Sequence, residues 1–146
     1  MKVRTSIIAA GAAIALSTAG ALVLPAVASA HSTTHTLKLV SVEKATVTFS
    51  KTNFGQQDTD VNAKGKTIGF DELNITATSA TAGNGGVTVD LSGGFLYGTF
   101  AVNLKTGAVT NGKITGGTGS FAGATGTFTA KSISSTKTAV VIKYST

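Results

Sequence analysis

The sequence predicts an all-β protein, a small closed antiparallel barrel of about eight strands preceded by a signal peptide. Three observations carry that prediction. Apolar and polar residues alternate with period two in short runs from Thr36 to Tyr144, and no amphipathic helix of useful length interrupts them. Runs of Gly, Ser, Thr and Asn separate the segments at the spacing of a β-sandwich or barrel. The single proline, Pro25, lies before the alternating region, and there is no cysteine. Stability therefore has to come from burial and backbone pairing.

The segments follow in order. Leu37 and Leu39 alternate with Thr36 and Lys38, and the run continues through Val42. Val47 and Phe49 alternate with Thr46, Thr48 and Ser50, which makes Glu43-Lys44 a turn. Residues 53–65 are polar and read as a long loop. Lys66–Thr78 resumes as a strand with a bulge at Asp71-Glu72, where its alternation slips. Asn84-Gly85-Gly86 reads as part of a turn, followed by a strand from Val87 to Leu91. Leu96, Phe100, Val102 and Leu104 then share one face, with Phe95, Tyr97, Thr99 and Ala101 on the other. Strands near Val109–Thr115, Thr127–Ile133 and Thr138–Tyr144 complete the chain. Apolar residues on both faces of Gly94–Leu104 and Ala139–Tyr144 favour closure, because a barrel has no edges and lines an interior. That interior is either filled with side chains or holds one small ligand.

The first thirty residues have a different chemistry. Lys2 and Arg4 precede an apolar stretch from Ile7 to Leu24, Pro25 breaks it, and Ala28-Ser29-Ala30 has the small-x-small form of a cleavage site. The expectation is cleavage after Ala30. Residues 31–146 are then a single domain, secreted or cell-wall associated, with no stable membrane insertion. A retained anchor is the alternative, since about 20 apolar residues span a bilayer. The mature part holds ten lysines, no arginine and six acidic residues, a net +4. Scattered lysines without arginine argue against nucleic acid as a partner.

The run Ile114-Thr115-Gly116-Gly117-Thr118-Gly119-Ser120-Phe121-Ala122-Gly123-Ala124-Thr125-Gly126, together with the last strand Val140-Val141-Ile142-Lys143-Tyr144, resembles the C-terminal signature of the allene oxide cyclase and dirigent barrel superfamily. Gly65–Phe70 is similar to that family's second long strand, and Phe95-Leu96-Tyr97-Gly98 to its strand ending in Tyr-Gly. The bacterial secreted allene-oxide-cyclase-like proteins are the type most similar. The resemblance implies an eight-stranded barrel with a hydrophobic interior, often trimeric, that acts without a cofactor. Cyclases of the family close a fatty-acid epoxide, and dirigents steer the coupling of phenoxyl radicals. Ser120 and Thr125 stand where dirigents carry an acid and an arginine. Ser41 and Glu43 stand where cyclases carry a carboxylate and an asparagine.

Glu43 and Tyr97 are the candidate catalytic residues. Burial in the interior would raise the Glu43 pKa and suit it to general-base work; a solvated turn is the alternative. Phe95, Tyr97, Phe100 and Phe121 are the candidate pocket lining. Gly116, Gly117, Gly119, Gly123 and Gly126 are assigned to a structural turn, since a phosphate cradle would need a following Lys-Ser/Thr and a helix. Asp71-Glu72 is a second carboxylate candidate at the barrel rim. Asp58-x-Asp60-x-Asn62 opens like a calcium loop but fails at Ala63 and Gly69, which stand where Gly and Glu are needed. His31 and His35 are too few for a copper site, and no metal is expected. The predicted partner is a small apolar molecule, with a homo-oligomer implied by the resemblance. Two functions stay open: a ligand-binding barrel with cofactor-free isomerase or cyclase activity, or a non-catalytic secreted or cell-surface interaction protein.

Overall fold

The computed structural model describes residues 32–146, which form one compact unit. The proposed signal peptide and His31 lie outside the described residues. Eight strands run as an antiparallel meander: β1 (Thr34–Thr48), β2 (Asn53–Val61), β3 (Thr67–Ala77), β4 (Ala82–Leu91), β5 (Gly94–Asn103), β6 (Val109–Gly117), β7 (Thr125–Ser134) and β8 (Lys137–Ser145). β8 pairs back onto β1 from Thr34↔Ser145 to Val42↔Lys137, which closes the barrel. Among the described residues the sole helical element is a 3-10 turn, Gly119–Phe121.

The expected strand number is right, but several of the segments behind it differ. The two runs on either side of Glu43-Lys44 belong to one strand, β1, whose register to β2 slips between Glu43 and Ala45. A bulge at Lys44 absorbs the break that reads as a turn. The expected loop at 53–65 is β2 over most of its length. Its inward positions are Phe54, Gln56, Asp58 and Asp60, so the period of two is present but written in polar residues. Asn84-Gly85-Gly86 also lies within a strand, β4, and the chain turns earlier, where the Ser79 hydroxyl accepts from the Thr81 and Ala82 amides. Gly85 is needed there because a Cβ would meet the Phe100 ring at 2.7 Å.

β3 carries no bulge at Asp71-Glu72. Its register to β4 runs unbroken from Gly69 to Ala77, and to β2 unbroken from Asn53↔Thr76 to Asp60↔Gly69. The slip in the pattern is an inversion of polarity. Asp71 points inward and is buried, while Phe70 points outward and is 57% exposed.

The inward positions of the eight strands make one core, including Leu39, Ile75, Val89, Leu96, Ile114 and Ile142. Phe100 and Phe128 meet edge to face across it, with ring centroids 6.1 Å apart. One end of the barrel is sealed by the β6–β7 connection, where Phe121 packs edge-on against Tyr144 at 5.6 Å. Ser120 donates its amide to the Gly93 carbonyl at 2.8 Å, and Phe95 donates its own to the Thr118 hydroxyl at 3.1 Å, tying this plug to the β4–β5 turn.

Of the glycines assigned to the turn, Gly116 and Gly117 end β6, Gly119 opens the 3-10 turn with φ of 58°, Gly123 follows it with φ of 78°, and Gly126 lies inside β7. Gly119 combines a left-handed backbone with a close approach to the Gly93 carbonyl, whereas a Cβ on Gly123 would meet open space. Gly123→Ala should therefore cost about 1–2 kcal/mol from backbone strain alone, and Gly119→Ala at least about 1 kcal/mol more. Urea unfolding of the two variants checks this; equal losses would mean that the plug is not tightly seated.

Candidate functional site

Toward the end opposite the plug, the interior is not filled. A cavity of about 260 Å³ reaches from the middle of the barrel to Leu104 and the exposed Gly107 at the β5–β6 turn. Leu39, Phe54, Ile75, Val87, Phe100, Phe128 and Ile142 are among its apolar walls. Its polar lining lies on adjacent strands: Thr138 on β8, Ser41 on β1, Gln56 and Asp58 on β2, and Asp71 on β3. Strand pairing places these groups together, because Ser41 faces Thr138 on one side and Asp60 on the other, and Asp58 faces Asp71.

Asp58 is well supplied with donors. The Ser41 hydroxyl donates to its Oδ2 at 2.5 Å, and the Gln56 amide lies 2.9 Å from both of its oxygens. The other two carboxyls lack such support. Asp60 is the next inward residue toward the plug and is wholly buried, and neither of its oxygens has a hydrogen-bond partner. Asp71 is 8% exposed, and its Oδ1 is likewise buried and unpartnered. No lysine, arginine or histidine lines the cavity. Unpaired charge in such surroundings is costly, and acids there hold their protons instead. Burial, followed by the charge of Asp71, pushes Asp60 from 3.8 up to about 8. Burial, followed by the charge of Asp58, pushes Asp71 up to about 6. A proton kept on Asp60 makes it a donor to Asp71, so the pair is best described as sharing protons.

The candidate residues from the sequence are scattered over this frame. Phe100 lines the cavity. Phe95 and Tyr97 do not: Leu96, Gly98 and Phe100 point inward, so alternation turns their neighbours out, where the two rings stack at 6.4 Å on the outer wall. Phe121 is buried in the plug, away from the cavity. Glu43 sits half-buried at the β1 bulge, outside the cavity lining, and accepts a 2.8 Å hydrogen bond from the Thr46 hydroxyl. The cluster that does converge is Ser41, Gln56, Asp58, Asp60 and Asp71. Its signal in the sequence is the polar alternation Gln56-x-Asp58-x-Asp60 and the inverted pair Phe70-Asp71. Among the described residues no group of three or more His, Cys, Asp or Glu side chains is arranged to hold a metal ion.

No family model matches the sequence, and no curated protein does. Solved structures do. A pterocarpan synthase dirigent protein aligns over 91% of this chain and 98% of its own, with a TM-score of 0.70 and 17% identity. A pyocyanin demethylase aligns over 75% and 99%, with a TM-score of 0.64 and 19% identity. An exo-specific intermolecular Diels–Alderase aligns over 78% and 99%, with a TM-score of 0.61 and 8% identity. At these identities the likeness is one of fold, and it is the barrel that the resemblance around Gly112–Gly126 implies.

The buried acids set a pH dependence whose sign is fixed. Folded Asp60 and Asp71 keep protons that the unfolded chain releases near 3.8, so the folded state binds more protons through the interval from about 4 to about 8. Stability is greatest at the acid end of that interval and falls as pH rises through it. Melting temperature should therefore drop from pH 5 to pH 8. Asp60→Asn, whose amide can donate to Asp71, should flatten the drop and stabilise the protein near neutral pH by on the order of 1–3 kcal/mol. Calorimetric scans of both proteins across that range check it; a melting temperature that rises with pH would contradict it.

Proposed function

We propose, taking the dirigent-type barrel as the premise, that this chain is exported, cleaved after Ala30, and binds a compact, largely apolar molecule inside the barrel. The observation that carries the reading is the cavity: about 260 Å³, walled by aliphatic and aromatic side chains, with hydrogen-bonding groups gathered on one side. That combination is the usual form of a small-molecule site, at a volume just under the ~300–1,000 Å³ typical of them. An interior packed solid would have favoured the non-catalytic interaction protein instead. The outward Phe70, Phe95 and Tyr97 support a homo-oligomer in which that wall is covered.

Within this reading, cofactor-free isomerase or cyclase chemistry has an acid–base group suited to it. Asp71 lines the cavity and is raised to about 6, close to the pH at which general acid–base catalysis is most effective. Asp60, raised to about 8 and out of reach of a bound molecule, acts as a positioning residue that holds a proton against Asp71. Confinement supplies the rest: apolar walls restrict conformers and exclude water.

Native mass spectrometry of exported protein tests both parts. The expected mass begins at His31, and the expected complex carries one small molecule per chain, either retained or added as naphthylmethanol. Ala130 lines the cavity and is small, so Ala130→Phe should fill it. That variant should lose binding by about tenfold or more with little loss of stability, the free volume being available. Binding that survives Ala130→Phe would place the ligand elsewhere.

A further inference from the structure

We infer that the interior site selects an apolar molecule carrying a cationic nitrogen, a protonated amine whose N–H groups meet Asp71 while its hydrocarbon part fills the cavity. The inference rests on the reading of the cavity as a small-molecule site and specifies what that site prefers.

Donors and acceptors in the cavity lining do not balance. Every carboxylate oxygen is an acceptor and can be satisfied only by a donor. Ser41 and the Gln56 amide both direct their protons to Asp58. Asp71 lies beside Asp58 across the β2–β3 pairing, borders the cavity, is more than nine-tenths buried, and has an Oδ1 with no partner. Asp60 adds a third carboxyl behind it. The lining contains no cationic side chain, and its remaining polar group is the Thr138 hydroxyl. Apart from the proton that Asp60 holds, the protein supplies Asp71 with no donor and no counter-charge in the cavity, and a cationic ligand brings both. In an interior of low effective dielectric, a hydrogen bond between an ammonium and a carboxylate is among the stronger polar contacts available. The same surroundings oppose a ligand carboxylate, which would meet like charge with no counter-ion. A neutral alcohol can donate one hydrogen bond but leaves the carboxylate charge unbalanced. The apolar walls at the other side of the cavity take the hydrocarbon, so charge and hydrophobicity are read at opposite ends.

Three ligands of one skeleton separate the outcomes: naphthylmethylamine, naphthylmethanol and naphthoic acid, titrated into the exported protein by calorimetry near neutral pH. The amine should bind about tenfold or more tightly than the alcohol, with the acid weakest. Asp71→Asn should bring the amine to within about threefold of the alcohol, because the partnered charge is gone. If the alcohol binds as tightly as the amine, or the acid binds best, the charge preference is overturned while the small-molecule site stands. If none of the three binds, both are overturned. An amine preference that persists in Asp71→Asn overturns the assignment to Asp71. Were that variant to misfold, the ranking of the three ligands by the unmodified protein would still decide the matter.

Discussion

Pairing β8 with β1 leaves every second side chain of eight strands facing a single shared interior. That constraint governs everything else in the molecule. A flat sheet with one wet face would let Asp58, Asp60 and Asp71 turn to water, whereas a closed barrel does not. With the parity of β2 set by Phe54 and Gln56, Asp58 and Asp60 have to point inward, and the unbroken β2–β3 register brings Asp71 beside them. The plug at Phe121 then shuts the nearer end. The result is a group of acids held where water is scarce, next to an apolar space open at the far end. Shifting β2 by one residue would turn Asp58 and Asp60 outward and Thr59 inward, and the same shift in β3 would exchange Asp71 for a neighbour such as Phe70; either erases the site.

Closure itself was legible in the sequence, because apolar alternation in β5 and β8 and the Gly-rich run before β7 are written in residues that strands and tight turns require. The site was not, and the reason is physical. Strand patterns are recognised by apolar residues at period two, and β2 has polar residues at three of the four inward positions, so it resembles a solvated loop. In β3 the inversion at Phe70-Asp71 resembles a bulge for the same reason: the acid occupies the core position and the aromatic the surface one. These failures coincide with the buried acid cluster, as expected where a local rule gives way to a proposed site. Phe95 and Tyr97 illustrate the converse error. Their aromatic character suggests a pocket, but alternation with Leu96 and Phe100 already puts them on the outer wall.

The fold does not choose the chemistry. A dirigent protein, a demethylase and a Diels–Alderase share this barrel at no more than 19% identity, and what distinguishes such proteins is the identity of the inward residues. Here those residues are an aliphatic and aromatic wall and a group of acids lacking any basic partner. Glu43 lies outside that group, whereas Ser41, two residues before it, lines the cavity and donates to Asp58. Proton sharing between Asp60 and Asp71 follows from burial and proximity, and it gives the interior an acid poised near neutral pH rather than near 4.

The direct test of that claim is an NMR titration of the aspartate side-chain carboxyl carbons in selectively labelled protein. The Asp60 resonance should pass through its midpoint near pH 8 and that of Asp71 near 6, the two curves being visibly coupled. If both carboxyls instead titrate independently near 4, the interior is wet or cation-paired, and the reading of the site as a dry acid cluster is wrong.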